Sequence, residues 1–249
     1  MAKEAKDNFS RQSADYARFR PGYPQELFDW LYSHCAGYGA AWDCATGNGQ
    51  AAVNIAEKFE VVYATDLSIS QLENSIKKEN IIYRQGKAEE PDFENDSFDL
   101  VTVAQALHWL NHDKFFSEVK RVAKNGAIFA AWGYGLLSIL PEINELIHKF
   151  YTDITGPYWD KERRHVDDHY ASIPFPIEEL PCPVFAMHYN WTFKHIIGYL
   201  NSWSAVQHYI KMKKANPIDI IKSDLEKAWG DGERLVTFPI FMRAGMITK

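Results

Sequence analysis

From Ala40 to Trp132, short apolar runs alternate with segments whose apolar residues recur every three or four positions. That alternation predicts βα units feeding a parallel sheet. AAWDCA (40–45) reads as a first strand, followed by a helix over about Gln50 to Lys58, and VVYATD (61–66) as a second, rich in β-branched and aromatic residues. Ser70 and Glu73 have the spacing of a capping box and predict the start of the next helix. IIYRQG (81–86) and FDLVTVA (98–104) are the third and fourth strands, DKFFSEVKRVAK (113–124) a helix with its apolar residues at helical spacing. Asn125-Gly126 predicts a turn into a fifth strand, AIFAAWG.

After Gly135 the alternation stops. A helix, PEINELIHKFY, leads into an aromatic, proline-dotted stretch at 156–183; VFAMHYNWTF then resumes strand character, two helical stretches follow, and LVTFPIFMRAGMITK closes the chain. The prediction is an α/β fold: a doubly wound, mostly parallel sheet of five strands plus two closing strands, seven in all, with an inserted helical lid. The divisions are an N-terminal segment at 1–35, a core at 36–135 and 184–249, and the lid at 136–183.

Composition removes some function classes. With 249 residues, 46% hydrophobic and 24% charged, the chain has ample material for a core. The net charge of −6 offers no general field for phosphate backbones, so nucleic acid is not the expected partner. The apolar run AIFAAWGYGLLSIL, about 14 residues, is short for a membrane span and broken by glycine. No apolar leader opens the chain, and three widely spaced cysteines read as reduced thiols, so a cytoplasmic location is expected.

The first strand runs into the glycine turn of Ala41 to Ala52, AWDCATGNGQAA. Gly47 and Gly49 allow a ligand to approach the backbone, a spacing shared with dinucleotide-binding turns. Asp66 ends the second strand about 20 residues on, where a carboxylate accepts ribose hydroxyls. Asp43, just ahead of the glycines, is awkward beside a pyrophosphate and suited to a cofactor with a cationic centre, which favours S-adenosylmethionine over NAD. A turn-bracing role for Asp43 is the structural alternative. An NAD-dependent oxidoreductase and a non-catalytic cofactor-binding protein are the rival functions.

These motifs resemble, in order, those of the class I S-adenosylmethionine-dependent methyltransferases. DCATGNG looks like the family's D-x-G-x-G-x-G motif with Ala45 in place of the first glycine; Asp66 and Leu67 in ATDLS match the ribose-holding acid and its neighbour. Ala88 and Glu89 in GKAEE match the pair flanking adenine, and Ala104 and Gln105 in VTVAQALHW the strand end beside the methionine part. Outside the core, FSRQSADYARFRPGYP, WGY, GPYW with the arginines after it, and WSAVQHY resemble the trans-aconitate methyltransferase branch, whose members esterify small carboxylic acids. The resemblance implies a Rossmann-like methyltransferase fold, a small-molecule acceptor and an N-terminal segment that covers the cofactor through Tyr16 and Arg20. It also implies acceptor contacts from Trp109, Trp132, Tyr158, Trp159, Arg164 and Trp203.

His108 follows the fourth strand at the sheet's carboxyl edge and is a candidate base or hydrogen-bond donor, against the alternative of a loop-bracing histidine. Arg163 and Arg164 follow the aromatic GPYW, and a guanidinium fork is a natural partner for a carboxylate, unless the KERR run is simply solvated; Arg164 is the candidate chosen. An ionised carboxylate acceptor needs no base. The spacings His108/His112 and His165/His169 allow imidazoles to share a helical face, but the first straddles a strand exit and the second lacks a helical frame, so no metal site is expected.

Overall fold

The computed structural model of the protein describes residues 21–249. The sheet carries strands β1 (Ala40–Cys44), β2 (Val61–Asp66), β3 (Ile81–Gln85), β4 (Phe98–Ala104), β5 (Ala123–Tyr134), β6 (Glu178–Glu179), β7 (Phe185–Thr192) and β8 (Glu233–Met246). Its order is β3-β2-β1-β4-β5-β8-β6, with β7 also paired to β8. The first five strands are parallel, and β8 runs antiparallel beside β5. The added element is two-residue β6, so the sheet has one more strand than the seven expected.

Period-two alternation sends neighbouring side chains of the central strands into two separate cores. On β5, Ile128, Ala130, Trp132 and Tyr134 face one cluster while Phe129 and Ala131 face the other. The first core lies under α1 (Gln25–His34) and α2 (Gln50–Ile55). The second is filled by α4 (His112–Val122), whose Phe115, Phe116, Val119 and Val122 are buried. Asn111 caps α4 by accepting the Lys114 N–H at 3.3 Å, and Lys120 and Arg121 close it at the negative end of its dipole.

Two local expectations are corrected. The helix α3 (Ile69–Glu73) is capped by Ser68, whose hydroxyl takes the Gln71 N–H, so Ser70 falls two residues past the cap and the Ser70/Glu73 pair does not start the helix. Asn125-Gly126 sits inside β5, not before it: Phe98 pairs with Ala123 and Leu100 with Ile128, so the extra residues form a bulge that Gly126 accommodates at φ +83°.

The insertion divides between the two faces. Helix α5 (Pro141–Lys149) packs against α8 (Lys222–Trp229), and the turn at Gly156–Tyr158 against α7 (Ser204–Lys213), which also meets α6 (Phe193–Asn201), so residues 193–230 form the cap together with the first part of the insertion. Residues 166–177 instead cross to the opposite face, where Val166, Tyr170, Ile173 and Ile177 complete the second core. Arg243 of β8 anchors that crossing by donating to the Tyr170 and Ile173 carbonyls. Among the described residues no helix is long and apolar enough to cross a membrane.

Candidate functional site

The turn after β1 is built from left-handed residues: Ala45 at φ +53°, Gly47 at +58° and Gly49 at +86°. This conformation folds the backbone back over the strand ends and leaves little side-chain bulk above it. Asp66 fixes the turn, one carboxylate oxygen accepting the Gly47 N–H at 2.8 Å and the other the Ser68 N–H at 2.8 Å.

Asp43 supports the turn from beneath. It is fully buried and accepts Thr46 Oγ1 at 2.5 Å and Thr102 Oγ1 at 2.8 Å. Burial pushes its pKa from 3.8 up to about 6 against the opposing pull of the two hydroxyls. Its side chain does not reach the cavity above, so the direct ligand contact expected of it is replaced by turn bracing; Thr46 is the residue that lines the surface. Gly49 is likewise below the lining, and a Cβ there would meet the Tyr83 hydroxyl.

Above the carboxyl ends of the strands lies a cavity of about 780 Å³. Of the sequence-selected residues, Ala45, Gly47, Asp66 and Leu67 line its glycine-turn side, and Ala88, Glu89, Ala104 and Gln105 line its floor and flank. Glu89 ties this flank to the β4 exit by accepting the Asn111 N–H at 2.7 Å. Gln105, itself left-handed at φ +56°, accepts the Tyr134 N–H at 2.8 Å and so sews the ends of β4 and β5 together.

His108, Trp109, Trp159 and Trp203 line the opposite, cap-side part. His108 is buried, with Nδ1 3.2 Å from the Tyr170 hydroxyl. Burial raises the Tyr170 pKa, so that phenol stays protonated near neutral pH, and the imidazole tautomer sets which of the two groups donates.

Three expected acceptor contacts lie elsewhere. Trp132 is fully buried in the first core, edge-on to Tyr23 at 5.5 Å and Phe28 at 6.1 Å, because its position on β5 faces that core. Tyr158 packs on Tyr209 and gives its carbonyl to His208 instead of lining the cavity. Arg164 is exposed, whereas its neighbour Arg163 lines the cavity, since consecutive residues of a helical turn point in different directions. Tyr16 and Arg20 lie outside the described residues. Tyr23, Asp160 and Tyr199 line the cavity without being candidates from the sequence, although Tyr23 falls within the FSRQSADYARFRPGYP segment, and Arg163, considered beside Arg164 in the KERR run, lines it in place of Arg164. Neither histidine pair meets a third ligand: among the described residues no group of three or more His, Cys, Asp or Glu side chains is placed to hold a metal ion.

A methyltransferase domain model matches residues 42–131, the span from β1 through most of β5. The chain is 35% identical to a methyltransferase of Dictyostelium discoideum over 95% of its own length and 93% of that protein's. It is 27% identical to an S-adenosylmethionine-dependent methyltransferase of Saccharomyces cerevisiae over 67% of this chain and 62% of that one. Among solved structures, a type II methyltransferase from Anaeromyxobacter dehalogenans superposes with a TM-score of 0.86 at 38% identity, covering 92% of this chain and 99% of the other.

Proposed function

The chain belongs to the class I S-adenosylmethionine-dependent methyltransferases, and on that premise we infer that it transfers the methyl group to a small carboxylic acid. Membership settles the choice left open by the glycine turn in favour of a methyl donor over NAD. S-Adenosylmethionine, when bound, supplies a methyl group on a sulfonium and leaves as a neutral thioether, so a carboxylate oxygen that accepts it becomes a neutral ester with no proton to move.

The residues present suit that cofactor. Ala45, Gly47 and Gly49 keep the backbone turned and bare where the methionine part would pass, and Asp66, which holds that turn and lines the cavity, would accept the ribose hydroxyls. Leu67, Ala88 and Glu89, which line the cavity, would flank the adenine, with Ala104 and Gln105 on the methionine side. Asp66, Glu89, Glu90 and Asp160 outnumber Lys87, Lys114 and Arg163 around the cavity, and Asp43 lies beneath it. Such a wall favours a cationic centre over a diphosphate.

The observation that carries the acceptor assignment is Arg163, a guanidinium on the cap-side wall among Trp159, Trp203 and Tyr199. A planar fork of donors is the group that recognises a carboxylate. His108, backed by Tyr170, orients the acceptor by hydrogen bonding and is not required as a base, since the nucleophile is already ionised at neutral pH. Trp109 closes the wall beside it, keeping water from the reacting atoms.

The test is incubation of purified protein with methyl-labelled S-adenosylmethionine and a panel of carboxylic acids, phenols and amines. Label appearing as base-labile methyl esters supports the reading. Label in alkali-stable ethers or amines, with none in esters, overturns it.

A further inference from the structure

The geometry points to a specific class of acceptor: a planar or aromatic monocarboxylic acid, held by one carboxylate on Arg163 with its apolar body on the indole wall, and not a polycarboxylate. This rests on the carboxylate reading above and narrows it.

Arg163 is set in place before any ligand arrives. Its Nε donates to the Tyr151 hydroxyl at 2.9 Å, and that hydroxyl donates to Asp167 at 2.5 Å. The guanidinium lies over the Trp159 ring at 4.9 Å and the Tyr151 ring at 5.4 Å. Among the described residues its two terminal nitrogens take no hydrogen bond, so they are the donors that a carboxylate meets on the cavity side. A guanidinium stacked and pinned this way has already given up its rotamer freedom, which sharpens recognition of one carboxylate.

The lining next to it is aromatic, with half-buried Trp159 in front of Trp203 and Tyr199, which are buried behind it. Trp159 and Trp203 are in ring contact at 5.4 Å, and Tyr199 meets Trp203 at 5.9 Å. A flat hydrocarbon body buries well on such a wall, whereas a chain carrying further carboxylates would leave them desolvated and unpaired there.

Charge counting among the described residues weighs against more anions. The other two lysine or arginine side chains that line the cavity there, Lys87 and Lys114, both lie by Glu90, at 3.8 and 3.9 Å, on the Ala88–Glu89 flank. On the cap side Arg163 Nε lies 3.4 Å from Asp167, and Asp160, mostly buried and 3.9 Å from His208, lines the cavity as well. A second or third carboxylate would therefore meet a like charge. One cation suffices for a monoacid, and esterification discharges the group it holds, so the neutral product loses its anchor and leaves.

Calorimetric titration of the protein saturated with S-adenosylhomocysteine tests this with 2-naphthoate, tricarballylate and 2-naphthylmethylamine. The expected result is that 2-naphthoate binds at least about tenfold more tightly than tricarballylate, and that R163Q abolishes the difference while R163K keeps part of it. D160N is expected to tighten tricarballylate and leave 2-naphthoate unchanged, which keeps the proposal testable if R163Q does not fold. Tricarballylate binding as tightly as 2-naphthoate, or 2-naphthoate binding undiminished in folded R163Q, overturns it. Product analysis separates the two levels: preferential esterification of tricarballylate refutes this inference alone, whereas methylation of the amine with no ester from either acid refutes the carboxylate reading as well.

Discussion

Thr46 Oγ1 donates a 2.5 Å hydrogen bond to the carboxylate of Asp43, joining the glycine turn that lines the cavity to an acid with no exposure of its own. The floor of the site thus rests on a buried titratable group, and stability depends on pH through it.

The Asp43 pKa is raised in the folded protein, from 3.8 to about 6, so the fold prefers the protonated form. This contribution is fully present below about pH 4 and is lost as pH rises through 6, on the order of 3 kcal/mol across the window. D43N removes the titration. In urea denaturation at pH 4, 5, 6 and 7, the stability of wild type minus that of D43N is expected to fall across this range. A difference independent of pH would refute the assignment.

Ala45 holds φ +53°, a conformation that costs a non-glycine residue about 1 kcal/mol or more. A45G relieves it and loses roughly 0.4–1 kcal/mol through the freer unfolded chain. The expected net is a gain of about 0.5 kcal/mol, or one to two degrees in Tm, read by thermal melting. A clear loss of stability would show that the methyl group's packing outweighs the strain.

At Gly49 the backbone is at φ +86° and an added Cβ would collide with the hydroxyl of Tyr83, which donates to the Ile76 carbonyl at 2.7 Å. G49A is expected to cost about 2 kcal/mol or more from strain plus overpacking. Y83F removes the clashing oxygen, so in a double-mutant cycle G49A costs less in the Y83F background. Strict additivity would refute the contact.

Asp66 is assigned two tasks: bracing the Gly47 and Ser68 amides, which its contacts show, and holding the ribose, which is proposed. D66A is expected to lower unliganded stability and also to weaken S-adenosylmethionine binding by roughly 1–3 kcal/mol. Denaturation without ligand and calorimetry with it separate the two. Unchanged affinity in folded D66A would remove the ribose role.

Arg164 is exposed and outside the cavity wall, so R164Q is expected to change neither stability nor acceptor affinity beyond about 0.5 kcal/mol. A large loss of binding in R164Q, measured beside R163Q, would restore the sequence-based choice between the two arginines.

What the sequence determined by itself was set by local, periodic causes. VVYATD and FDLVTVA became β2 and β4 at the bounds read from their apolar runs, because strands buried on both faces need that composition whatever lies around them. The glycine turn and Asp66 were legible for the same reason: a left-handed turn and a strand-end acid occupy fixed places in a βα unit. Tertiary structure decided matters of direction. Trp132 faces a core because of its parity on β5, Asp43 lies under the turn because two threonines take its oxygens, and Arg163 enters the cavity while Arg164 leaves it. The cap is shared with residues 193–230, a pairing between segments distant in the chain. Which way a side chain points, and which segments meet, depend on long-range packing that no local pattern encodes, and so the glycine-turn side of the cavity was readable while its cap side had to be seen folded.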